Sequence, residues 1–187
     1  MVGVGPGMPF VHALLRAPAC PRGAVVGLVP CAQGGTPIAN WTHGSDMYDR
    51  MVTRACVAGA GAGRIAALLW FQGEADAMRC EDALAYAWRM EAFVRDVRQD
   101  LAMPNLLVIQ VRRYTTSMHG SPALTPLFSI LNPWLDLVRK EQRAVRVPNL
   151  KYVDAMGLPL ASDVTHLTTQ AQVRLGKMLA DAYIATL

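Results

Sequence analysis

Short, nearly unbroken apolar runs alternate along this chain with longer stretches in which apolar positions recur at helical spacing. That alternation is the pattern of an α/β domain built on a parallel sheet. Four runs read as strands buried on both faces: Ala24 to Val29, Ile65 to Phe71, Leu106 to Val111 and Leu150 to Asp154. Between them the clearest amphipathic stretch predicts a helix from Glu81 to Leu101, with Leu84, Trp88, Phe93, Val94, Val97 and Leu101 on one side and Pro104 ending it. A last helix is expected from Thr169, where Thr169 and Gln172 form a capping-box pattern ahead of Val173, Leu175, Met178, Leu179 and Tyr183.

The remaining stretches read as connections. Arg112 to Pro133 is rich in Pro, Ser and Thr and has no period, which within a compact domain points to a functional or mobile loop. The Gly59 to Gly63 run, "GAGAG", follows a helix and precedes a strand, the reverse of the order a dinucleotide fingerprint requires. Near the start, "GVGPG" has no strand before it and reads as a loop.

Composition narrows the class without changing the fold. With 187 residues, 52% hydrophobic and 17% charged, the chain suits one domain with a sizeable core. The net charge of +4 comes from arginines scattered over helical faces rather than from a basic block interleaved with aromatics, which argues against nucleic acid. Cys20, Cys31, Cys56 and Cys80 stand too far apart for a zinc site or a disulfide framework. The apolar N-terminal stretch lacks a basic leader and is broken by Gly and Pro, so no signal peptide or membrane span is expected, and a soluble cytoplasmic protein is the default.

In a parallel sheet, ligands bind beyond the carboxyl ends of the strands. Three of the four strand ends carry chemistry: Gln33-Gly34-Gly35-Thr36 after the first, Gln72-Gly73-Glu74-Ala75-Asp76 after the second, and Asp163-Val164-Thr165-His166 after the fourth. Singly, these are a turn, a polar loop start and a helix-entry carboxylate beside a surface imidazole. Together they stand where such a fold builds its site. An Asp and a His at this spacing offer an orienter and a base, and leave a nucleophile to be found.

Four blocks in order, "VVGLVPCAQGGTPIANW", "GSDMYDRMV", "LLWFQGEADA" and "VDAMGLPLASDVTHLTTQAQVRLGKMLADAYI", resemble the SGNH-type carbohydrate esterases of the sialate O-acetylesterase group, the plant members in particular. The resemblance implies a three-layer, flavodoxin-like parallel sheet flanked by helices, and hydrolysis of acetyl esters on sugars. It places the family's base and orienting carboxylate on His166 and Asp163. Its oxyanion donors fall on the backbone of Gly35 or Gly34 and on the Gln72 amide, while Glu74 holds the loop or a substrate hydroxyl. It implies an acetylated carbohydrate as partner and no metal or organic cofactor.

The family's serine lies in a Gly-Gln-Ser-Asn block at the end of its first strand, and residues 1–187 contain no such block. The expectation is therefore a domain without the family's first strand and without its nucleophile. Ser45 reads as a helix N-cap, and Ser162 would have to reach back on its own loop. A non-catalytic carbohydrate-binding or regulatory remnant of the esterase fold is the alternative. Metal-dependent phosphoester hydrolysis would want clustered ligands, which the isolated His12, His43 and His119 do not offer.

Overall fold

The structure is a computed structural model that describes residues 4–61, 63–112, 132–163 and 165–187. Three of the four expected strands form: β1 (Ala67–Phe71), β2 (Leu107–Arg112) and β3 (Leu150–Asp154). They pair in parallel in the order β1-β2-β3, with Trp70, Gln110 and Tyr152 in register across the sheet. All three carboxyl ends therefore point the same way, so Gln72 after β1 and the Asp163–His166 segment after β3 follow the same end of the sheet.

Ala24 to Val29 forms no strand. An extended segment needs a neighbour for its backbone donors and acceptors, and no described strand lies beside this one. Val25 is left in solvent at 95% exposure, while Val26 packs against the core. A run of apolar residues marks a strand only where a partner completes the ladder.

Five α-helices occupy the described connections: α1 (Gly7–Arg16), α2 (Asp46–Gly59), α3 (Cys80–Asp100), α4 (Leu135–Ala144) and α5 (Thr169–Ile184). Short 3-10 turns cover Ile38–Trp41 and Ala75–Met78. The first helix is the one element hidden by the Gly/Pro-rich start. Proline is tolerated in a first turn, where the N–H has no intrahelical partner, so Pro9 does not interrupt it. Phe10, Val11 and Leu14 form its buried face.

On one face of the sheet, α3 lies over Trp70 and Gln110: the Trp70 indole sits 4.5 Å from the Phe93 ring, and Gln110 Nε2 reaches Tyr86. Because strand side chains alternate, Ile109, Val111 and Val153 point to the other face. All three are buried, and α5 is packed against β2 and β3. Two helical layers thus enclose the sheet, as a parallel sheet with apolar strands requires.

Two details of the expected helices are corrected. Leu84 and Trp88 are 55% and 60% exposed, while Ala83, Tyr86, Met90, Phe93, Val94 and Val97 are buried. The stripe rotates because small Ala83 and the hydrogen-bonding Tyr86 fit the sheet side, and Trp88 packs outside under the Arg89 guanidinium. The cap of α5 is Thr168, whose hydroxyl accepts from Ala171 N, so the Thr169–Gln172 box does not form and Gln172 Oε1 is left buried without a partner. The expected loop from Arg112 to Pro133 lies largely outside the described residues.

Candidate active site

Gln72 is the first residue past β1, and the structure fixes it from both sides. Its carbonyl accepts from the Tyr86 hydroxyl at 3.3 Å and from Gln142 Nε2 at 3.2 Å. Trp70 Nε1 and Gln110 Nε2 donate in turn to that hydroxyl. Burial pushes the phenol up to about 12, so it remains a neutral donor. The next residue, Gly73, has φ +139, and a Cβ there would stand 3.1 Å from Gln142 Nε2 and 3.2 Å from Val138 Cγ1. Glycine at this position is what lets the chain turn sharply off the strand while α4 stays close.

The Gln72 side chain reaches across to the Gly-Gly turn. Nε2 donates to the Thr36 carbonyl at 2.9 Å and to Asp76 Oδ2 at 2.5 Å. Gly35 adopts φ +72, a left-handed turn that glycine enters without strain, and Gly34 and Gly35 are both exposed. The structure therefore brings together two of the three predicted groups, although 36 residues separate Gln72 from Thr36. Asp76 completes the clamp: it is fully buried and accepts the Ile38 N–H at 3.2 and 3.1 Å. Burial holds its carboxyl above the usual range, against the lowering effect of the bonds from Gln72 and Ile38. Glu74 is half-buried at the start of the 3-10 turn Ala75–Met78.

The third group lies on the connection from β3 to α5. Asp163 Oδ2 is 2.8 Å from His166 Nδ1, and Asp163 Oδ1 accepts the backbone N–H groups of Thr165 and His166 at 2.9 Å each. Those two amides and then the imidazole hold the Asp163 carboxyl down at about 2. The dyad is open to solvent, with side-chain exposures of 76% for His166 and 52% for Asp163. Beneath it, Leu160 and Leu167 form an antiparallel bridge that closes the loop. No described hydrogen bond joins the dyad to Gln72 or Gly35. Gln72 follows β1 and the dyad follows β3, the two edge strands of the three-stranded sheet, whose axes lie about 10 Å apart by strand spacing.

Between the two groups, at the ends of β2 and β3, Arg112 and Arg139 both pair with Asp154, Arg139 at 3.2 Å. Burial raises the Asp154 carboxyl, but the Met156 N–H and the two guanidiniums outweigh it and leave the group below its ordinary value. Ser45 behaves as a helix cap: its hydroxyl accepts from Tyr48 N and donates to the Asn40 carbonyl. Among the described residues His166 has no serine partner, its ring bonding only to Asp163. Tyr86, Gln142 and Asp76 are the site residues that sequence reasoning missed. Only Asp76 left a signal, as the carboxylate four residues after Gln72 in "QGEAD".

A family model described as carbohydrate esterase, sialic acid-specific acetylesterase, matches residues 1–185. This chain belongs to that family. A protein of Arabidopsis thaliana named as a probable carbohydrate esterase is 42% identical over 183 residues, covering 98% of this chain. The chain spans 64% of that relative's length. The X-ray structure of the Arabidopsis protein superposes with a TM-score of 0.84 at 41% identity, over 99% of this chain and 70% of that one. The crystal structure of a carbohydrate acetylesterase from Xanthomonas citri shares the fold at a TM-score of 0.64 and 19% identity, over 95% of this chain and 40% of that one. The expected SGNH-like α/β class is thereby shown. Among the described residues no helix is long and apolar enough to cross a membrane.

Proposed function

We propose that this chain provides the base, its orienting carboxylate and the oxyanion donors for hydrolysis of acetyl esters on carbohydrate. The observation that carries the reading is the 2.8 Å contact of Asp163 Oδ2 with His166 Nδ1. A carboxylate at Nδ1 keeps the proton there, so Nε2 bears the lone pair. Nε2 then takes the proton of an attacking hydroxyl and returns it to the departing sugar oxygen. The carbonyl oxygen of the acetyl group becomes negative in the tetrahedral intermediate and is met by the Gly35 N–H, flanked by Gly34, and by the Gln72 amide. Preorganised neutral donors of this kind contribute about 3 to 4 kcal/mol each. Glu74 holds a substrate hydroxyl or the loop itself. The nucleophile is the serine of a Gly-Gln-Ser-Asn block, which residues 1–187 do not contain. No cofactor takes part.

A serine-directed fluorophosphonate tests this directly. Residues 1–187 should resist the probe and show no burst on an aryl acetate. The same chain lengthened at its amino end by the family's strand and Gly-Gln-Ser-Asn block should react one to one, and His166→Ala should abolish the reaction. Labelling of residues 1–187 at Ser45 or Ser162 would move the nucleophile into this chain. A lengthened chain that still binds acetylated sugar but never labels would favour the non-catalytic, carbohydrate-binding reading.

A further inference from the structure

Gln72 enters the proposed chemistry as a donor, and its surroundings dictate which way the amide faces. Both groups in contact with Nε2, the Thr36 carbonyl and the Asp76 carboxylate, are acceptors. Exchanging the nitrogen and oxygen would set Oε1 against a carbonyl and a negative charge. The orientation seen leaves Oε1 buried without a hydrogen-bond partner among the described residues, which is unfavourable for a desolvated acceptor. The site tolerates an orphaned oxygen in order to keep the nitrogen toward the turn.

Asp76 is what imposes that choice. It is 0% exposed, and among the described residues no cation forms an ion pair with it. Buried carboxylates are normally paired with a charge, because desolvating one is expensive. This one instead binds two neutral donors, and they belong to the two limbs of the candidate oxyanion site. One is Gln72 itself, and the other is the Ile38 N–H, three residues past Gly35.

We propose that Asp76 is a positioning residue that aligns the oxyanion donors, orienting the Gln72 amide with one oxygen while anchoring the Gly34-Gly35-Thr36 turn through Ile38. The proposal rests on the esterase reading above. In the resting site the Thr36 carbonyl receives the second Gln72 hydrogen. When the ester oxygen becomes negative it is the stronger acceptor, and that hydrogen passes to it while Asp76 keeps the other. One carboxylate thus sets donors from two separate segments without touching substrate.

The variant Asp76→Asn keeps the shape and changes the polarity. With Asn Oδ1 on the Ile38 N–H, its NH2 faces Gln72 and attracts Oε1, turning the amide over. Two measurements on residues 1–187 read this. The side-chain amide of wild-type Gln72 should show one downfield, slowly exchanging proton, the mark of a short bond to a carboxylate, and Asp76→Asn should remove it. The slow aryl acetate hydrolysis left to a site without its serine, roughly 10³ over water, should fall about tenfold or more with KM changed less than about twofold. Gln72→Ala should match that loss, and the double variant should be no slower than Gln72→Ala alone.

Additive losses, or Gln72 resonances unmoved by Asp76→Asn, would overturn the proposal. If Asp76→Asn does not fold, the wild-type spectrum still decides: an ordinary, fast-exchanging Gln72 amide rejects the alignment. A Gln72 signature as expected, in a protein whose lengthened form never labels with the fluorophosphonate, rejects the esterase reading and supports the alignment by itself.

Discussion

Asp163 and Asp76 are both carboxylates, and their surroundings drive them in opposite directions. Asp163, held by two backbone amides and an imidazole, titrates at about 2, below the ordinary value near 4. A depressed pKa stabilises the folded loop above pH ~4, and that contribution is lost as pH falls toward 2. Because the group is exposed, the effect on global stability is small and screened by salt. The measurable quantity is the titration itself. In a carboxyl-detected NMR experiment Asp163 should titrate near 2. His166→Ala, which removes the ring but not the backbone N–H, should raise it part of the way toward 4. A wild-type midpoint near 4 would mean that the dyad is not formed in solution. Asp76 has the opposite sign: its raised pKa gives a contribution that is fully present below the ordinary carboxylate value and is lost as the pH rises from there through the folded-state value. The Asp82 carboxylate pushes the same way and Arg89 opposes it. The dyad was legible in the sequence because a contact three residues apart is local. The Gln72–Thr36 and Asp76–Ile38 contacts were not, since only the folded sheet brings those segments together.

Elements carry the next level of specification. The strands β1 and β2 were legible because each is a nearly continuous apolar run, and β3 because its apolar residues include the buried Val153. Ala24 to Val29 has the same composition but no ladder, and composition says nothing about a partner. The side of α3 that faces inward was misread at Leu84 and Trp88, where hydrophobicity and burial part company. The helix α1 escaped notice because Gly and Pro there serve its first turn. Its docking depends on Gly176 of α5: a Cβ at that position would lie 2.5 Å from Pro9 Cβ and 2.6 Å from the Pro6 carbonyl. Alanine in place of a mid-helix glycine gains about 1 kcal/mol of helix propensity. Overpacking of this severity costs about 1 to 3 kcal/mol or more, so the clash wins. Gly176→Ala should therefore lower the urea midpoint and expose α1 to proteolysis before the rest of the chain. An unchanged midpoint would show that α1 does not seat against α5 at this distance.

At the scale of the whole molecule, the described surface carries a partly exposed apolar strip. Val25, Leu28 and Val29 are 95%, 40% and 37% exposed within six residues that hold no charge and no proline. An exposed apolar segment with an unpaired backbone is a template for self-association. Residues 1–187 are expected to scatter light increasingly with concentration. Val25→Lys should suppress this with little change in thermal midpoint, since the side chain buries almost nothing. Equal scattering by both proteins would place the sticky surface elsewhere.

The packing of α1 on α5 also has a consequence in time. The first helix leaves the ribosome about 150 residues ahead of the helix that buries Phe10, Val11 and Leu14. At synthesis rates of about 5–20 residues per second, that is roughly 8–30 s in which an apolar face has no partner. A helix of ten residues is marginal by itself over such an interval. The seating of α1 on α5 is accordingly expected to be a late event in the folding of the nascent chain.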